Sequence, residues 1–119
     1  MLHPPLRVLV VGCGNMGASH ATAYHTLAGF ELVGLVSTGQ SKHVLNTQLG
    51  GGYAVFDDYT AALAHTQPDA VCISTYPDTH EAFAVQAFNA GCHVFLEKPL
   101  ATTLAGAERV VAAARQAGP

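Results

Sequence analysis

The chain has 119 residues, half of them hydrophobic and 11% charged, which is enough for one domain with a substantial core and too little for two ordinary ones. Five Lys plus Arg against eight Asp plus Glu leave a formal charge of -3, and no basic cluster stands anywhere along the chain, so nucleic-acid binding driven by counterion release is not expected. The apolar runs have the length of strands, and MLHPPLR lacks the long apolar stretch of a signal peptide, so the expectation is a cytoplasmic protein with no membrane partner.

LRVLVV, Leu6 to Val11, is a first strand whose unbroken apolar character implies cover on both faces. It runs into Gly12-Cys13-Gly14-Asn15-Met16-Gly17, a G-x-G-x-x-G that is weak alone and much stronger between a strand and a helix. There Gly12 permits the tight turn, Gly14 lets backbone approach a pyrophosphate, and Gly17 lets the helix pack close to the sheet. Free N–H groups of Asn15 and Met16 and the positive end of the helix dipole would meet the phosphates; a ligand-free βα turn is the plainer alternative. A helix follows from about Asn15 to Ala28, closing at Gly29.

ELVGLVS, Glu31 to Ser37, is the second strand. Its end is where an acid usually accepts from the ribose hydroxyls of NAD. The sequence there is VSTGQSK, with Ser37, Thr38, Ser41 and Lys42 and no nearby carboxylate. A carboxylate ~4 Å from a 2′-phosphate would be repelled by ~4 kcal/mol per unit charge at an effective dielectric of 20. Its absence favours NADP, with NAD also possible; a polar helix start with a solvated lysine is the alternative.

A helix from about Gln40 to Leu49 ends at Gly50 to Gly52, Tyr53 to Val55 makes a short third strand, and Asp57 or Asp58 caps a helix running to about His65. AVCIST, Ala70 to Thr75, is the fourth strand. Asp78 opens the next helix with Glu81 three residues on, in the manner of a capping box, and Gly91 closes it. HVFLE, His93 to Glu97, is the fifth strand, and Thr103 starts an alanine-rich helix ending at Gly118. Alternating strands and helices with right-handed crossovers imply a doubly wound, mostly parallel open sheet, a Rossmann fold.

Ligands of such sheets lie beyond the C-terminal strand ends, so Ser74 to His80 and Glu97 to Pro99 should share a rim with the glycine turn. Thr75, Tyr76 and Pro77 are placed to line a path from pyrophosphate to nicotinamide. His80 has either a ligand role or a local capping or packing role. Lys98 at that rim can hydrogen-bond a substrate hydroxyl and move its proton, with burial lowering its pKa toward the task and Glu97 orienting it. Pro99 would fix the backbone there through a cis bond; a surface ion pair before a proline-started helix is the competing account. Cys13, Cys72 and Cys92 form no C-x-x-C and read as reduced buried thiols; the seven histidines show no zinc spacing, and no metal is expected.

GCGNMG, STYPDTH and AGCHVFLEKPLATTLAGAERVVAAARQAG together resemble the N-terminal domain of the Gfo/Idh/MocA family, named for glucose-fructose oxidoreductase, inositol dehydrogenase and rhizopine catabolism. The resemblance implies that Lys98 is catalytic, that Gly12, Gly14 and Gly17 bind dinucleotide, and that Ser37 with Lys42 five positions on is similar to NADP-using members. It implies sugars, cyclitols and related polyols as substrates. Family members continue into another strand and a second α/β domain carrying an aspartate/histidine pair and usually the oligomer interface. Residues 1–119 are therefore expected to be one dinucleotide-binding unit of a longer chain, inactive alone, with HVFL as an apolar edge that promotes self-association into a homo-oligomer. A non-catalytic, redox-sensing or regulatory dinucleotide module is the second functional reading.

Overall fold

The computed structural model describes residues 4–118. Strands and helices alternate as β1 (Leu6–Val11), α1 (Asn15–Thr26), β2 (Phe30–Val36), α2 (Ser41–Gln48), β3 (Val55–Phe56), α3 (Tyr59–Thr66), β4 (Ala70–Ile73), α4 (Pro77–Asn89), β5 (His93–Leu96) and α5 (Leu104–Ala117). All four strand pairings are parallel, and the order across the sheet is β3-β2-β1-β4-β5. The chain thus winds outward from β1 through β2 to β3, returns to β4 on the other flank of β1, and continues to β5. The reversal between β1 and β4 opens the crevice in which such sheets take ligands.

Successive side chains of β1 point to opposite faces, and each face has its own core. Leu9 and Val11 pack with Val36, Tyr59, Leu63, Ile73 and Ala84 under α3, α4 and α5. Val8 and Val10 pack with Leu32, Leu35, Ala21, Leu45 and Cys72 under α1 and α2. At about 1.5–3 kcal/mol for each fully buried Val or Leu, this alternation holds the register tightly. An irregularity opposite Val8 and Leu9 places Val33 as an extra residue in β2.

Several boundaries differ from the sequence expectation. β4 stops at Ile73 and β5 at Leu96, so Ser74, Thr75 and Glu97 stand past the strand ends at the rim, with the Ser74 N–H still donating to the Val11 carbonyl and the Glu97 N–H to the Ile73 carbonyl. The Asp78–Glu81 capping box does not form: Tyr76 is the N-cap of α4, with Pro77 in the first turn, where its missing N–H costs no helical bond. Glu81 instead reaches across to Arg109 of α5. Asp58, not Asp57, caps α3 by accepting from the Ala61 N–H at 2.8 Å. Thr103 caps α5 as expected, accepting from the Gly106 N–H. All three cysteines are free and buried. β5 is an edge strand; its own Phe95 is exposed, as are Leu100, Leu104 and Val111 later in the chain. No helix among the described residues is long and apolar enough to cross a membrane.

Candidate functional site

Phe56, Val36, Val11, Ile73 and Leu96 end their strands in one register rank across the sheet. The residues that step off that edge, in spatial order, are Asp57, Ser37, Gly12, Ser74 and Glu97. With neighbouring strands about 4.8 Å apart, Gly12 stands about 10 Å from each end of the rank. The glycine turn, the VSTGQSK segment, the STYPDTH segment and the Glu97–Pro99 turn therefore all lie on one side of the sheet.

The three glycines of the turn have different surroundings. Gly12 has φ +95°, and a Cβ built on it would lie 2.6 Å from the Ser74 carbonyl oxygen. A Cβ on Gly17 would stand 1.8 Å from the Gly12 carbonyl oxygen, so α1 is pressed against its own turn. A Cβ on Gly14 would meet nothing within 4 Å. Gly14 is the N-cap of α1, contributes no capping side chain, and no acid stands in the first turn. The exposed helix start at Gly14, Asn15 and Met16 thus has open space above it, uncompensated N–H groups and the positive dipole end, and it fits a phosphate diester. Ser74 Oγ, beside the turn, is buried without a hydrogen-bond partner. Cys13, between the glycines, faces inward with its thiol on the Val36 carbonyl, and burial pushes its pKa up to about 11 despite the nearby Lys42 charge.

At the β2–β3 end the polar groups close on one another. Ser37 Oγ accepts from the Lys42 backbone N–H and from Ser41 Oγ, while Thr38 is exposed. Lys42 is buried, not solvated, and its Nζ donates to the Gly39 carbonyl at 2.5 Å and to Asp57 Oδ1 at 2.7 Å. That hydrogen bond and charge hold the Asp57 carboxyl below the usual carboxylate range. The rim at this end, expected to lack an acid, thus receives one from β3 rather than from β2.

On the other flank, Glu97 does not orient Lys98. Its Oε1 lies 2.5 Å from His20 Nε2, and the His20 ring packs edge-on against Phe95, which ties the turn after β5 to α1. Lys98 is exposed and makes no hydrogen bond among the described residues, so the expected burial is absent. The Lys98–Pro99 peptide is cis. His80 is 1% exposed, with Nδ1 2.6 Å from the Pro99 carbonyl and Nε2 3.0 Å from the Thr75 carbonyl. It therefore has the packing role, joining the Lys98–Pro99 turn to the β4–α4 loop, and offers no free nitrogen to a ligand. Thr75 and Thr79 hydroxyls bond each other, and Tyr76 is exposed beside Pro77 at the head of α4. The sequence reading offers Asp57 only as a candidate cap and does not place His20 at the rim; the signal for His20 was its place one turn after Gly17, on the flank of α1 facing the rim.

A family model, GFO_IDH_MocA, described as "Oxidoreductase family, NAD-binding Rossmann fold", matches residues 6–119. The chain belongs to the Gfo/Idh/MocA oxidoreductase family. Among curated Gfo/Idh/MocA relatives, it is 34% identical to D-glucoside 3-dehydrogenase of Escherichia coli (strain K12) over 99% of this chain and 34% of that protein. It is 32% identical to inositol 2-dehydrogenase of Paracoccus denitrificans (strain Pd 1222) over 95% of this chain and 34% of the relative. GenD2 from gentamicin A biosynthesis, solved in complex with NAD, superposes with a TM-score of 0.89 at 32% identity, over 99% of this chain and 34% of that one. Scyllo-inositol dehydrogenase from Lactobacillus casei, with bound NAD(H) and scyllo-inositol, gives 0.88 at 28% identity, over 96% and 34%. The chain thus spans about a third of the length of the curated relatives it matches.

Proposed function

We propose that residues 1–119 form the dinucleotide-binding unit of an NAD(P)-dependent oxidoreductase acting on a sugar, cyclitol or related polyol. The observation that carries this is the open, acid-free start of α1 at Gly14 on the same rim as Lys98. The glycoside and inositol dehydrogenases among the relatives support the substrate class. The bound nicotinamide would exchange hydride with a carbinol carbon. The chain's own part is to hold the pyrophosphate at the Gly14–Gly17 helix start and to present Lys98. From an exposed turn pinned by His80 and Glu97, the Lys98 ammonium donates to the substrate oxygen and assists its proton transfer. The NADP preference expected from Ser37 and Lys42 now depends on Asp57, so both nucleotides are taken as ligands.

Titration of the chain with NADH and NADPH, read by nucleotide fluorescence, tests the binding half; no binding of either refutes it. Oxidation of cyclitols and glycosides by the full-length protein tests the rest. Lys98→Met should retain nucleotide affinity and lose turnover by about a hundredfold or more. A non-catalytic dinucleotide module is the second reading, favoured by the solvent exposure of Lys98. Full-length protein that binds nucleotide and oxidises no polyol would select it.

A further inference from the structure

We propose that Asp57 is a cofactor-selectivity residue: its carboxylate engages the Lys42 ammonium and turns the β2–β3 end of the rim against a 2′-phosphate. This rests on the dinucleotide reading above and deepens it. The chain has five Lys and Arg residues. Arg7 lies at the start half of β1, bonded to the Gln67 carbonyl, Arg109 and Arg115 lie on α5, and Lys98 follows β5 on the far flank. Lys42 is therefore the one Lys or Arg beside the strand-two end, where the adenosine ribose of a dinucleotide is held.

That cation is not offered outward. The Lys42 side chain is 4% exposed and the Asp57 side chain 85%, so the ion pair presents its anionic member to solvent. Two of the three ammonium protons are committed, to Asp57 Oδ1 and the Gly39 carbonyl. Ser37 Oγ is likewise committed to Lys42 N–H and Ser41. A 2′-phosphate approaching this end meets an exposed carboxylate with the Lys42 ammonium buried behind it, whereas a ribose diol meets an acceptor for its hydroxyls. Asp57 is available for this because Asp58, not Asp57, caps α3, and its backbone is fixed beside Ser37 by the Ser37 N–H to Phe56 carbonyl bond of 3.2 Å.

The test is Asp57→Asn, which keeps shape and a carbonyl acceptor for Lys42 while removing the charge, with Asp57→Ser as a second variant. NADH and NADPH affinities are measured by fluorescence on wild type and both variants, with melting used to confirm that each variant is folded. Wild type is expected to bind NADH at least as tightly as NADPH, and Asp57→Asn to shift the affinity ratio toward NADPH by about tenfold, less at high salt. A ratio that stays put, or moves toward NADH because Asp57 steadies Lys42 for the phosphate, overturns the proposal and leaves the dinucleotide reading standing. Failure of wild type and variants to bind either nucleotide overturns both.

Discussion

Two glycines five and two residues after Gly12 should respond in opposite ways to one added methyl group. Gly17→Ala places carbon 1.8 Å from the Gly12 carbonyl oxygen, where ordinary contact begins near 3.4 Å. Both sides are backbone, so α1 must lift off its turn and lose packing of Ala21 against the core. Overpacking that nothing can relieve locally costs about 3 kcal/mol or more. Against a total stability of about 5–15 kcal/mol this lowers Tm by more than about 10 °C. Gly14→Ala adds its methyl group to empty space at φ -74°, a conformation open to any residue. The lost N-cap preference and the reduced freedom of the unfolded chain roughly cancel, to within about 1 kcal/mol. The same methyl stands where a phosphate would approach, so NADH affinity should fall about tenfold or more. Thermal melts by circular dichroism and NADH fluorescence titrations decide the matter. If Gly14→Ala melts as early as Gly17→Ala, or binds NADH like wild type, the division between structural and ligand-facing glycines is wrong.

The thiols should be inert in the native state: burial pushes Cys13 and Cys72 up to about 11 and raises Cys92, so a disulfide reagent at pH 8 should label them only after denaturant is added. Arg109 holds the Glu81 carboxyl below the usual carboxylate range. A depressed acid stabilises the fold above its unfolded pKa and loses that contribution as pH falls through the folded value. Glu81→Gln should therefore be less stable than wild type at pH 7, and the difference should shrink in urea melts as pH falls through the carboxylate range. The apolar edge at β5, with Phe95 51% exposed, should drive self-association of this chain at high concentration. Sedimentation should show Phe95→Lys shifting the population toward monomer, and a wild-type monomer at all concentrations would count against the edge.

Strands covered on both faces write themselves as unbroken apolar runs, and for that reason β1, β2 and β4 could be read with the helices between them, whereas the two-residue β3 was expected at Tyr53 to Val55 and lies at Val55–Phe56. The glycine turn was legible because its three glycines answer to local backbone demands. What stayed hidden depends on partners remote in sequence. Two adjacent aspartates before α3 offered the same cap, and only packing shows that Asp58 takes it, which frees Asp57 for a lysine fifteen positions back. Glu97 was assigned to its neighbour Lys98, yet its partner His20 lies 77 residues away. Asp78 and Glu81 had cap spacing, but Pro77 fits the first helical turn and moved the helix start before them. His80 gave no hint of burial, because a histidine four residues into α4 reads the same whether it faces solvent or two carbonyls.

The separate cores above and below β1 limit where this sequence can change length. Loss or gain of a single codon within Leu6–Val11 would exchange the partners of every side chain beyond it and carry Gly12 away from Ser74. The exposed Gly50–Gly52 connection leads into β3 from the opposite end of the sheet, so indels there leave the nucleotide rim untouched. An epitope tag or peptide loop belongs at that position, and natural homologues should vary in length there before they vary anywhere near the turn.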